Sequence, residues 1–190
     1  MYHLNGLIKN GLVEKADQSY QLTTKGLQFV GTLSLETGRT RQQPKILTAV
    51  ICKNKTGEYL FARWHRQPNI GMVSFVHGMM HYGEAIADMA ATELAEKAGL
   101  QADLTHRGEV YIRGMRGDEV DRHMLVHLFE AHDYHPGRQD ELRPEVSESF
   151  WAPLGSIQPE QFVPGFYEIA QLAKQQPTGQ IFADIVVTVT

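Results

Sequence analysis

The feature that most restricts how this chain can fold is the stretch from Glu84 to Gly99, EAIADMAATELAEKAG. It is rich in alanine, has no proline or internal glycine, and ends in a glycine suited to the left-handed position that closes a helix. A helix over residues 84–98 is expected. At about 100° per residue, Ile86, Ala90, Leu94 and Ala98 fall on one apolar stripe, and such a stripe needs a surface to cover it. The flanking sequence supplies strands. ILTAVICK and YLFARW are separated by the turn signal NKTGE, and MVSFV follows. Beyond the helix come EVYIR and HMLVHLFEAH, with GMRGDEVD as the hairpin between them. PGFYEIAQLAKQQ reads as a second long helix with Pro164 near its start, and IFADIVVTV as a β-branched last strand. Helices interleaved with strands of both short and long connection define an α/β (α+β) domain with a mixed sheet.

The same helix carries charge. Glu93, Glu96 and Lys97 stand at i, i+3 and i+4 and share one side. Taken alone, Glu93 and Lys97 make an ordinary solvated helix pair. The spacing around them says more. Gly78 is followed by five residues and Glu84, then by seven more and Thr92, Glu93, Leu94, Ala95, Glu96, Lys97, Ala98, Gly99 and Leu100. This resembles the box of the Nudix hydrolases, which runs G, five residues, E, seven residues, R-E-U-x-E-E-x-G-U, with U a bulky aliphatic. Seven of its nine specified positions match. KILTAVICKNKTGEYLFARW, MVSFVHG and VSESFWAPLGSI also resemble the family's approach to the box and its later Glu-x-x-x-Trp segment. The resemblance covers residues 45–190.

The resemblance implies an α/β/α sandwich and cleavage of a diphosphate linkage in a nucleoside diphosphate-linked substrate. Hard Mg²⁺ or Mn²⁺ takes oxygen ligands, neutralises the diphosphate and makes the attacking water more acidic. Carried over, Glu93 and Glu96 match metal ligands, Glu84 matches the loop glutamate, and Glu93 or Glu84 serves as the catalytic base. Asp140 and Glu141 are the nearest downstream acidic candidates for a base outside the box. Gly78 allows the turn, and His77 with Gly78 is expected at the substrate. Three positions depart from the pattern: Lys97 replaces a ligand glutamate, Thr92 replaces the arginine, and Val76 with His77 replaces the usual residues before the box. The alternative function is a catalytically weak or inactive nucleotide-binding or sensor module linked to transcriptional regulation. His77 is expected to close the loop by hydrogen bonding, and His81 to be exposed. His123 and His127 alternate on one strand face, where structural or surface roles are expected. Trp64, Phe75, Tyr111 and Trp151 are expected mostly in the core.

Before this domain the chain differs in character. Residues 1–45 hold the cations Lys9, Lys15, Lys25, Arg39, Arg41 and Lys45 against Glu14, Asp17 and Glu36, within a chain of net charge −4. LNGLIKNG reads as a helix ending at Gly11. LVEK and YQLT read as a hairpin, and Thr23 or Thr24 caps a helix from Lys25 to Val30. SLETGRTRQQP reads as a linker, giving a segment 1–33, a linker 34–44 and a domain 45–190. GLVEKADQSYQLTTKG resembles the end of a winged helix-turn-helix. The first two helices of such a unit would lie before Met1; if the chain starts at residue 1, a packing or homodimerisation appendage is expected, with DNA reading as the alternative. Cys52 is the one cysteine and no apolar run approaches a membrane span, so no membrane is implied and the cytoplasm is the expected compartment.

Overall fold

The computed structural model describes every residue except Met1, Leu35 and Thr190. It divides into two compact units, residues 1–43 and 44–190. In the first, α1 (Tyr2–Lys9) is followed by the hairpin β1 (Val13–Ala16) and β2 (Ser19–Leu22), then by α2 (Thr24–Gly31). Gly11 adopts φ +68°, the left-handed conformation foreseen for it. Thr23 caps α2 by accepting a hydrogen bond from the Gly26 N–H at 3.0 Å.

The second unit is built on a seven-stranded sheet. Its strands are β3 (Lys45–Cys52), β4 (Tyr59–Trp64), β5 (Val73–Met79), β6 (Leu100–Arg116), β7 (Glu119–Pro136), β8 (Ser147–Ala152) and β9 (Ile181–Thr188). They lie in the order β8-β4-β5-β3-β7-β6-β9. β3 runs parallel to β7 and β6 parallel to β9, and the other pairs are antiparallel, so the sheet is mixed. Helix α3 (Ile86–Ala98) begins two residues later than the sequence suggests and closes on Gly99 at φ +62°. Its stripe of Ala90 and Leu94 packs on Val50, Cys52, Leu60, Val76 and Phe129, with Ile86 and Ala98 beside them. Helix α4 (Phe166–Gln175) buries Phe166, Ile169, Ala170 and Ala173 among Val110, Ile112, Val126 and Leu128 on the opposite face. One helix on each face gives the α/β/α sandwich.

Two details depart from the expected strands. Leu100 to Arg107 extends β6 well before EVYIR, and SESFWA forms β8, the edge partner of β4. Among the aromatic residues, Phe75 is fully buried, while Trp64 and Trp151 are half-buried. Tyr111 is 46% exposed, because its position on β6 lies beyond the area that α3 covers. Among the described residues no helix is long and apolar enough to cross a membrane.

Candidate active site

The box residues converge where α3 crosses the end of β5. Pairing of β5 with β4 stops at Phe61 opposite Phe75, while pairing with β3 continues through Gly78 opposite Thr48. Beyond that point Lys97, one turn after Glu93 on α3, donates to the main-chain oxygen of His77 and to Glu93 Oε2. Its Nζ also lies 4.7 Å from the centre of the Trp64 ring, within the range of a cation–π contact. Glu93 and Lys97 are 9% and 8% exposed, so the pair is buried and not the solvated pair that i,i+4 spacing suggests. Burial holds the Glu93 carboxyl above the ordinary carboxylate range, and the Lys97 ammonium opposes that rise.

Gly78 makes this packing feasible. A Cβ on Gly78 would run into the Glu93 carboxylate, so the missing side chain is the space the carboxylate occupies. Its φ is not in the left-handed region; close approach is what requires glycine here. His77 lies between Trp64 and Phe166, with ring centres 4.5 Å away on either side. Its Nδ1 is hydrogen-bonded with Ser74 Oγ at 2.9 Å, and Trp64 Nε1 donates to the same oxygen at 2.8 Å. Burial, reinforced by Lys97, pushes the His77 imidazole down to about 3, so it is neutral at every ordinary pH. His77 therefore fixes the strand end through side-chain hydrogen bonds.

The other carboxylates also have partners. Glu96 Oε1 meets Arg143 Nη2 at 3.1 Å, and Glu84 Oε2 meets His81 Nδ1 at 3.3 Å, with His81 well exposed. Asp140 and Glu141 sit in a short 3₁₀ turn (Gln139–Glu141) and both face Arg138, at 2.7 and 3.4 Å. Glu93 and Glu96 each hold a cationic partner, Lys97 and Arg143, so neither offers the free carboxylate oxygens that Mg²⁺ or Mn²⁺ takes.

A cavity of about 820 Å³ opens beside this cluster. It reaches Glu93, Lys97, His77 and Gly78 on one side and Lys45, Arg66, Arg116 and Arg122 on the others, with Trp64, Met124 and Phe166 as apolar walls. Asp121 joins Arg116 and Arg122 at 3.2 and 3.4 Å, and the hydrogen bond from Arg116 holds its carboxyl below the usual range. Lys45, Arg66, Lys97, Arg116 and Arg122 outnumber Glu93 and Asp121 here, so the cavity lining carries net positive charge. The arginines come from the β6–β7 hairpin and the loop after β4, which no motif in the sequence marks.

The fold and this site define a Nudix-type domain, and the comparisons agree. The NUDIX domain family model matches residues 44–173. The chain belongs to the NUDIX domain family. A comparison with curated protein sequences gives no match. Among solved structures, a NUDIX hydrolase from Nitrosomonas europaea is similar with TM-score 0.53 and 14% identity, over 81% of this chain and 86% of that one. A MutT protein from Bacillus halodurans is similar with TM-score 0.60 and 15% identity, over 76% and 90%. The NUDIX domain of Shewanella oneidensis NrtR, solved with ADP ribose, is similar with TM-score 0.54 and 12% identity, over 83% and 100%.

Proposed function

We propose that the chain is a divergent Nudix hydrolase whose cleft takes a nucleoside diphosphate-linked compound and holds the diphosphate with its own side-chain cations. The observation that supports this most is the convergence of Lys45, Arg66, Lys97, Arg116 and Arg122 on one cavity beside the box helix. Guanidinium groups match phosphate oxygens in pairs, and Trp64 and Met124 give the same cavity apolar wall for a base or ribose. The ADP ribose bound by the Shewanella oneidensis domain is a compound of this class.

In the hydrolytic step a water attacks one phosphorus, the bridging phosphorus–oxygen bond breaks, and the water's proton passes to a carboxylate. Glu93 is the proposed acceptor, since burial raises its proton affinity. It acts in this way only when Lys97 swings away, so turnover is slow. Glu84 is the exposed alternative acceptor beside the same loop. Nucleoside diphosphate sugars supplied with Mg²⁺ or Mn²⁺ test the reading: slow release of nucleoside monophosphate, abolished by Glu93→Gln, is the expected result. Turnover unchanged in that variant removes Glu93 from the chemistry.

A second reading, a nucleotide-binding or sensing module without turnover, is favoured by one observation: the helix carboxylates Glu93 and Glu96 each already pair with a cation. Tight binding with no product over hours selects it.

A further inference from the structure

A second group of metal-ligating side chains lies outside the box, on the part of the α3 face that α3 leaves open. His106 Nε2 is 3.5 Å from Glu109 Oε1, His127 Nδ1 is 3.5 Å from the same oxygen, and the two ring nitrogens are 3.4 Å apart. The three donor atoms form a nearly equilateral triangle. These separations decide between two chemistries. Hydrogen bonds between nitrogen and oxygen concentrate near about 2.9 Å, so the triangle is too wide for a well-bonded His–Glu–His cluster. A metal about 2.0–2.1 Å from each ligand separates tetrahedral ligands by roughly 3.3–3.4 Å and octahedral ones by roughly 2.8–3.0 Å. The triangle fits a tetrahedral face.

The backbone brings these residues together in an unusual way. His106 precedes Glu109 by three residues, and in a regular strand the two would point to opposite faces. The register of β6 on β7 shifts between His106, opposite Phe129, and Gly108, opposite Leu128, so Arg107 is an extra residue in a bulge. The bulge returns His106 to the face of Phe129 and His127. Gly108 has φ +116°, and a Cβ there would run into the Ile181 carbonyl, so the bulge depends on glycine. Glu109 is directly opposite His127. On the other side of His127, its neighbour in β3 is Thr48, whose fully buried Oγ1 has no hydrogen-bond partner. A cavity of about 510 Å³ adjoins, bounded by Glu109 and His127 together with Tyr111, Leu125, Phe182 and Asp184.

We propose that His106, Glu109 and His127 form a zinc site of two imidazoles and one carboxylate, with its fourth position left for water or an anionic ligand group. Two nitrogens and one oxygen suit Zn²⁺ and disfavour Mg²⁺. The site is separate from the box: on the register row Gly78, Thr48, His127, the last is two strand spacings, about 10 Å, from Gly78.

The test is calorimetric titration of Zn²⁺ into the chelator-stripped full chain, with Co²⁺ absorption as a report of geometry. One equivalent bound, with intense tetrahedral Co²⁺ bands, is expected. His127→Ala should weaken Zn²⁺ by about 100-fold or more, since loss of even an outer partner costs about 10–100-fold. His106→Asn, at a half-buried position, gives the same answer if His127→Ala folds poorly. Glu93→Gln with Glu96→Gln should leave the zinc titration unchanged. The proposal is overturned if the intact chain takes up no zinc. It is equally overturned if His106→Asn binds zinc as tightly as the intact chain, or if the box variants abolish binding.

Discussion

Replacing Lys97 by methionine separates a buried ion pair from a surface one. Methionine keeps most of the stem and removes the ammonium. Glu93, 9% exposed and packed over Gly78, then keeps a carboxylate with no cation beside it. An exposed helix pair contributes about 0–1 kcal/mol, whereas removing one partner of a buried pair costs about 3–5 kcal/mol because the other charge is left desolvated. For a unit of this size about 1 kcal/mol moves the melting temperature by roughly 2–4 °C, so a fall of roughly 6–20 °C is expected at neutral pH. The loss also depends on pH with a definite sign. Burial already raises the Glu93 carboxyl, and removing Lys97 takes away the influence that opposes the rise. Between the unfolded and folded values the native state binds the extra proton, so the variant regains stability as pH falls through the folded value and has its full deficit above it. Urea unfolding of the intact chain and of Lys97→Met, compared at pH 5 and pH 8, checks this. A deficit below about 1 kcal/mol that does not change with pH would show a solvated pair and refute the reasoning.

Other perturbations give distinct readouts. Gly78→Ala places a methyl group where the Glu93 carboxylate lies; a loss of about 1–3 kcal/mol in thermal unfolding is expected, together with weakened nucleotide binding. Lys97→Glu removes the competing cation and should raise Mg²⁺ or Mn²⁺ affinity by calorimetry; an unchanged affinity would show that Lys97 is not what limits the metal. Arg107 donates to the main-chain oxygens of Gly179 at 2.6 Å and Gln176 at 2.8 Å and pairs with Glu130, which ties down the segment after α4. Arg107→Ala should cost about 3 kcal/mol or more and speed proteolysis between residues 176 and 180.

The helices, most strands and the sandwich were legible because they rest on local signals: the stripe through Ala90 and Leu94, the closing Gly99, and β-branched runs between turn residues. β8 escaped notice because SESFWA is short and half-buried, and its identity depends on β4 lying beside it. The box carboxylates were found by spacing, but not the burial of Lys97, since an i,i+4 pair looks the same in sequence whether water or Trp64 lies above it. The alternation of His123 and His127 is visible in the sequence, but the partners of His127 are not. Parity counting assigns His106 to the wrong face, and only the bulge at Arg107 corrects it. The arginines of the cleft were equally silent, because Arg66, Arg116 and Arg122 meet only when the β6–β7 hairpin and the loop after β4 are folded together.

The central claim is that the cleft holds a diphosphate with cations of the chain itself. Calorimetric titration of ADP-ribose into the intact protein in excess chelator tests it most directly. Saturable binding without any divalent ion is predicted, weakened about tenfold or more by Arg122→Ala, the size of one lost charge-assisted hydrogen bond. Binding that appears only when Mg²⁺ is added, or that is indifferent to Arg122, would contradict it.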